Sequence, residues 1–119
     1  MSDTNKAVLS KANEAITRGD YEGFLACCTE ETRWTFVGDR TLEGKDAVRR
    51  YMAEVYTEPP VFTVHCMIAE GDSLAAIGEI TLKDADGNPT HHAYCDVWRF
   101  RDSKLAELQA YVVETGPAR

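Results

Sequence analysis

The order of patterns along this 119-residue chain predicts an α+β fold, with helices gathered on one face of a mostly antiparallel sheet. Three observations carry that prediction. Apolar residues at helical spacing dominate the chain before residue 58, and β-branched and aromatic runs fill residues 61–115. Those runs are parted by Gly71-Asp72, Asp86-Gly87 and Asp102-Ser103, which read as hairpin turns.

Residues 5–18 set Val8, Leu9, Ala12, Ala15 and Ile16 on one helical stripe, and Gly19-Asp20 ends it. A second, short helix runs from Tyr21 to about Cys28 and carries Tyr21, Phe24 and Leu25. Residues 32–37 (TRWTFV) read as a strand stopped by Gly38. A third helix begins around Gly44, presents Val48, Tyr51, Met52 and Val55, and is broken by Glu58-Pro59-Pro60. Four antiparallel strands follow, near 61–70, 73–84, 90–101 and 104–115.

Side chains alternate along a strand, so His92, Tyr94, Asp96 and Trp98 share one face. A two-residue turn at Asp86-Gly87 pairs 85 with 88, and onward 79 with 94 and 77 with 96. That register adds Ile77, Glu79 and Thr81 to the Asp96 face and sets Glu79 diagonal to Asp96 as a candidate carboxylate pair. The opposite, smooth face then carries Ala76, Gly78, Ile80, Leu82, Ala93, Cys95 and Val97. Alternation alone leaves two readings. Either the smooth face is the core and Asp96 is a surface acid, or the helices enclose the Asp96 face and the smooth face meets a second subunit.

Length and composition indicate one domain over residues 1–119, 44% hydrophobic, with a core large enough to need no disulfide or metal. No apolar run reaches the roughly 18 residues that span a bilayer. The amino-terminal stretch lacks a signal-peptide layout, and a net charge of −7 argues against nucleic acid and anionic membranes as partners. A soluble cytoplasmic protein is expected. Its four cysteines (Cys27, Cys28, Cys66 and Cys95) fit no zinc spacing and read as small buried hydrophobes. A zinc site from Cys66 or Cys95 with His65, His91 or His92 is the alternative, and no cofactor is implied.

The Gly19-Asp20 turn, the string WTFVGDRTLEGKDAVRRYM, the Asp86-Gly87 hairpin and the ending CDVWRF…LQAYVVE stand in telling order. Over residues 5–115 they resemble the nuclear transport factor 2-like superfamily, in its SnoaL-like and ketosteroid isomerase-like branch. The resemblance implies a curved sheet wrapped by three helices into a cone with a central pocket (a cystatin-like α+β roll). It also implies a homodimer formed through the outer sheet surface, and it favours the reading with Asp96 enclosed.

Relatives on this scaffold include isomerases, cyclases, epoxide hydrolases and non-enzymatic binders, so function must come from the site. The isomerase-like position of a protonated acid falls on Asp96, while its other catalytic positions fall on Ala12 and Thr35. Thr35 cannot take a carbon acid's proton and Ala12 donates nothing, which argues against ketosteroid isomerisation. The cyclase-like acid position falls at about Ala110, and no Arg stands beside Asp96 for an epoxide hydrolase set.

The expected catalytic residues are therefore Asp96, assisted by Glu79, whose like charge would help raise the Asp96 pKa. The expected ligand wall is Thr35, Tyr51, His65, Ile77, Tyr94, Trp98 and Ala110, with His65 a candidate base. With Thr35 facing inward, Trp34 turns to the outer wall. A two-residue turn at Asp102-Ser103 would bring Gln109 and Tyr111 beside Asp96; a three-residue turn, favoured by the resemblance, would bring Leu108, Ala110 and Val112. Two functions compete: acid–base chemistry of isomerase, cyclase or hydrolase type on a small hydrophobic ligand, and non-catalytic ligand binding by a dimeric accessory protein.

Overall fold

Glycine and aspartate set the first boundary. Gly19 takes a φ of 78°, and its amide and that of Asp20 return to the Ile16 and Ala15 carbonyls at 2.9 and 2.8 Å. The Asp20 carboxylate then accepts from the Gly23 amide at 2.9 Å, ending one helix and starting the next. A computed structural model describes residues 2–56, 58–83 and 86–117. It places helices α1 (Ser2–Thr17), α2 (Tyr21–Leu25) and α3 (Lys45–Val55). The strands are β1 (Cys28–Phe36), β2 (Arg40–Glu43), β3 (Val61–Glu70), β4 (Ser73–Lys83), β5 (Pro89–Arg101) and β6 (Lys104–Pro117).

The six strands form one curved sheet in the order β2-β1-β6-β5-β4-β3. Every neighbouring pair is antiparallel except β1 and β6, which run parallel. The α+β class and the helices on one face agree with the sequence. Two elements differ from it. The short strand β2 folds back on β1 around Gly38, and β6, the last strand of the expected four-strand meander, also pairs in parallel with β1 along its other edge.

The helices cover the concave face, where Leu9, Ala12 and Ile16 of α1 and Val48 and Met52 of α3 are buried. Across from them lie Trp34, Leu74, Trp98, Leu105 and Leu108. Trp34 stands edge-on to Phe24 and to Trp98, with ring centroids 5.6 and 5.8 Å away, the geometry that aromatic quadrupoles favour.

Asn5 anchors the far end, its amide donating to the Gly71 carbonyl at 3.4 Å from a site 2% exposed. No helix among the described residues is long and apolar enough to cross a membrane.

Candidate functional site

The strands β4 and β5 meet one residue out of the expected register. Lys83 pairs with Pro89, so five residues rather than two separate the ladders. The expected pairing of 85 with 88 lies partly outside the described residues, but the flanking ladder fixes the outcome. Asp96 pairs with Ala76, Tyr94 with Gly78 and Ile80 with His92. A one-residue slip exchanges the faces of one strand against the other. Burial explains the choice. This register packs Ala76, Gly78 and Ile80 beside Tyr94, Asp96 and Trp98 under the helices, and turns Glu79 and Lys83 to water.

Two expectations fall with that slip. Glu79 lies on the outer sheet face, where its carboxylate meets His65 Nε2 at 2.7 Å, and it forms no pair with Asp96. Ile77 is also on the outer face and does not line the cavity. The expected smooth face is divided between the two sides: Ala93, Cys95 and Val97 share the outer side with Ile77, while Ala76, Gly78 and Ile80 lie inside.

His65 is displaced by a second device. The β3–β4 register shifts between Val64 and Cys66, so His65 occupies a β-bulge. Phe62, Val64 and Met67 point to the concave side, while His65 is half exposed beside Glu79. It is not a cavity base.

The last hairpin combines both registers considered from sequence. Arg101 pairs with Lys104, so the turn at Asp102-Ser103 has two residues. The ladder then shifts between Arg99 and Phe100, which face Glu107 and Leu105, leaving Ala106 as an extra residue. The bulge, rather than a longer turn, brings Ala110 opposite Asp96 and Leu108 opposite Trp98.

On β1, Trp34 and Phe36 pair with Leu108 and Ala110 and face inward. Thr35 pairs with Gln109 and faces out, its hydroxyl 3.3 Å from that of Thr41. The expected inward Thr35 and outward Trp34 are thus reversed. Tyr51 stands behind the wall, its ring 5.0 Å from Phe36 and 5.6 Å from the Arg40 guanidinium.

Of the expected residues, Asp96, Tyr94, Trp98 and Ala110 line one cavity of about 110 Å³. Trp34, Phe36, Phe62, Ala76, Ile80, Leu108 and Val112 complete its sheet side, and α1 contributes Leu9, Asn13 and Ile16. Asn13 and Tyr56 went unnoticed in the sequence, although each carried a signal. Asn13 is a polar residue within the apolar stripe of the first helix, and Tyr56 follows Met52 by one helical repeat.

Asp96 is the only carboxylate among the lining residues. It has no hydrogen bond or ion pair among the described residues. Burial alone pushes its pKa up to about 7, because removing water penalises the ionised form. The expected direction holds, without a contribution from Glu79.

Burial, and then the Asp96 charge, push the Tyr94 hydroxyl up to about 12. Tyr56 is raised by burial first, with smaller contributions from Tyr51, Asp96 and Tyr21. Both phenols therefore stay neutral and keep an O–H able to donate. The Trp34 indole N–H is also buried, without an acceptor among the described residues. Among the described residues, no three His, Cys, Asp or Glu side chains gather as a metal site would require.

A family model described as SnoaL-like domain matches residues 9–108. None of the curated proteins matches the chain. Solved structures match it along most of its length. An NTF2-like protein of unknown function from Cytophaga hutchinsonii is 22% identical, covers 95% of this chain and 99% of its own, and superposes with a TM-score of 0.76. An LEH-like epoxide hydrolase from M. tuberculosis is 12% identical, with 93% and 84% covered and a TM-score of 0.82. TerC, co-crystallised with polyporic acid, is 15% identical, with 90% and 89% covered and a TM-score of 0.78. At these identities the likeness is one of fold.

Proposed function

Because the chain belongs to the SnoaL-like domain family, we propose that its cavity takes a small, mainly apolar molecule bearing an oxygen, and that Asp96 meets that oxygen. The unpaired Asp96 carboxyl in an aromatic and aliphatic wall is the observation that carries this reading. A half-buried carboxyl that has lost most of its water and has no protein partner among the described residues gains from a ligand oxygen that supplies a hydrogen bond. With a pKa raised to about 7, Asp96 is present both as a proton donor and as a base near neutral pH. Tyr94 and Tyr56, held neutral, add further donors.

These roles suit acid–base chemistry of isomerase, cyclase or hydrolase type on a cyclic carbonyl compound. Size narrows the class. An apolar cavity of about 150 Å³ admits benzene, so about 110 Å³ sets a single ring as the upper limit and excludes a fused polycycle.

A non-catalytic ligand-binding or accessory role is the second reading. It is favoured by the position of Glu79 outside the cavity, which leaves Asp96 without a second acid–base group. Cyclohexanone separates the two. Binding should quench the fluorescence of Trp34 and Trp98, and catalysis should speed deuterium exchange at its α-carbons over buffer. Asp96→Leu should weaken binding tenfold or more, and Asp96→Asn should abolish exchange while retaining binding. Equal binding by Asp96→Leu would remove Asp96 from the site; binding without exchange would select the non-catalytic role.

The proposed assembly is a C₂ homodimer through the outer sheet face. Its support is the exposure of Ile77 on β4 and of Tyr111 and Val113 on β6, at 38, 44 and 64%, in adjoining rows of the sheet. A single domain over residues 1–119 in the cytoplasm, without nucleic-acid partners, belongs to the same reading and is supported by the composition and the net charge of −7.

A further inference from the structure

The chamber beside Asp96 has a neighbour. Between α1 and the edge strand β3 lies an open cleft of about 540 Å³. One wall is polar, with Ser10, Glu14 and Thr17 of the helix; the other is apolar, with Val64 and Met67 of the strand. Asn13 and Phe62 line both the cleft and the chamber, so these two side chains stand between them.

We propose that the cleft is a second subsite for the same ligand, which is therefore elongated. Its ring sits in the chamber with its oxygen at Asp96, and an uncharged alkyl chain passes between Asn13 and Phe62 to lie on Val64 and Met67. The inference rests on the reading of the chamber as a ligand site. Its force comes from volume: a chamber of about 110 Å³ is filled by one ring, so anything larger leaves its remainder outside.

The chemistry of the cleft sets the class of chain. Val64 and Met67 offer apolar surface at the sheet edge, facing hydroxyls and amides rather than another apolar side chain. Glu14 and Arg18 carry opposite charges at the rim, and Arg18 already faces Asp20 at 3.7 Å, so a charged terminus finds no net attraction. An alkyl-substituted monocyclic ketone has the required shape and neutrality.

A second opening competes for the chain. Tyr56 and Pro60 border a smaller depression of about 170 Å³ as well as the chamber. That side is stiffly built. The Tyr56 ring packs 5.9 Å from Tyr21 and 6.1 Å from Tyr51, its carbonyl accepts the Tyr21 hydroxyl at 3.2 Å, and Pro59-Pro60 restricts the backbone. On the cleft side, the shared side chains are Asn13 and Phe62. Asn13 makes no side-chain hydrogen bond among the described residues, so rotation breaks none.

Titration of the full chain with cyclohexanone and its 4-ethyl, 4-butyl and 4-hexyl derivatives tests this. Affinity should rise about twofold or more per added methylene, as apolar surface leaves water. Thr17→Trp, at an exposed helix position, should block the cleft, and Met67→Ser should remove its apolar floor. Each should abolish the chain-length gain and leave cyclohexanone itself bound as before, with circular dichroism confirming the fold. Cyclohexanone binding with no gain, or a gain that survives both substitutions, overturns the cleft alone. Failure of cyclohexanone to bind at all removes the chamber reading and the cleft with it.

Discussion

Asp96 stands on β5 between Tyr94 and Trp98, and among the described residues its carboxyl makes no ion pair or hydrogen bond. Its pKa is about 7 in the folded chain, against the ordinary aspartate value of about 3.9 that an unfolded chain would show. The native state thus holds this proton more tightly. Its contribution to stability is complete below about pH 4 and is lost as pH climbs through about 7. Asp96→Asn, which cannot ionise, should flatten that fall and raise the urea midpoint at pH 8. Midpoints measured from pH 4 to 8 check it, and a wild-type profile with no greater fall than the variant's would contradict it.

Gly78 makes the second residue-scale case. A Cβ there would meet the Thr63 carbonyl oxygen at 2.0 Å and the Tyr94 hydroxyl at 2.9 Å. Overpacking costs about 1–3 kcal/mol, and backbone cannot move aside like a side chain. Gly78→Ala should therefore lower the unfolding free energy measured in urea by that much or more and shift the Tyr94 ring resonances. The sequence made Asp96, Tyr94 and Trp98 legible together because they lie on one strand, where alternation suffices. Glu79 and Ile77 were misplaced because their face depended on a loop that burial lengthened.

Elements show the same division between local and distant information. The helices were legible from apolar spacing and from Gly19-Asp20 and Pro59-Pro60. The strand β2, only Arg40–Glu43, carries no alternating pattern, and the parallel pairing of β1 with β6 is a long-range outcome that no local signal announces. Bulges are the hardest to read. The one near Ala106 makes both Leu105 and Leu108 core residues, which strict alternation forbids.

The turn before it does leave a local trace. Asp102 and Ser103 both adopt positive φ, 53° and 63°, a conformation that costs residues with a Cβ energy. Replacing them together by Asn-Gly should stabilise the fold by about 0.5–1 kcal/mol. Chemical denaturation measures the gain, and an unchanged midpoint would mean that the pair bears no strain.

At the scale of the molecule, the proposed homodimer rests on the outer sheet face. Cys66, Ile77, Cys95 and Tyr111 form one row across four strands, and Val113 stands in the next. Light scattering should give twice the 13.3 kDa chain mass at micromolar concentration. Tyr111→Asp, at an exposed site, should return the protein to a monomer without loss of helix signal. A monomeric wild type would refute the assembly.

The strand order carries one more consequence, for the timing of folding. Strand β6 follows every other strand in the chain, yet it lies between β1 and β5 and joins the two halves of the sheet. During synthesis, β1 with β2 and the β3–β5 meander emerge first, each with a bare edge waiting for a partner made last. Pairing Trp34 with Leu108 closes a long loop before any contact rewards it, which slows the final step. Until β6 leaves the ribosome, those edges are open to wrong partners, and chaperone demand should concentrate in that interval.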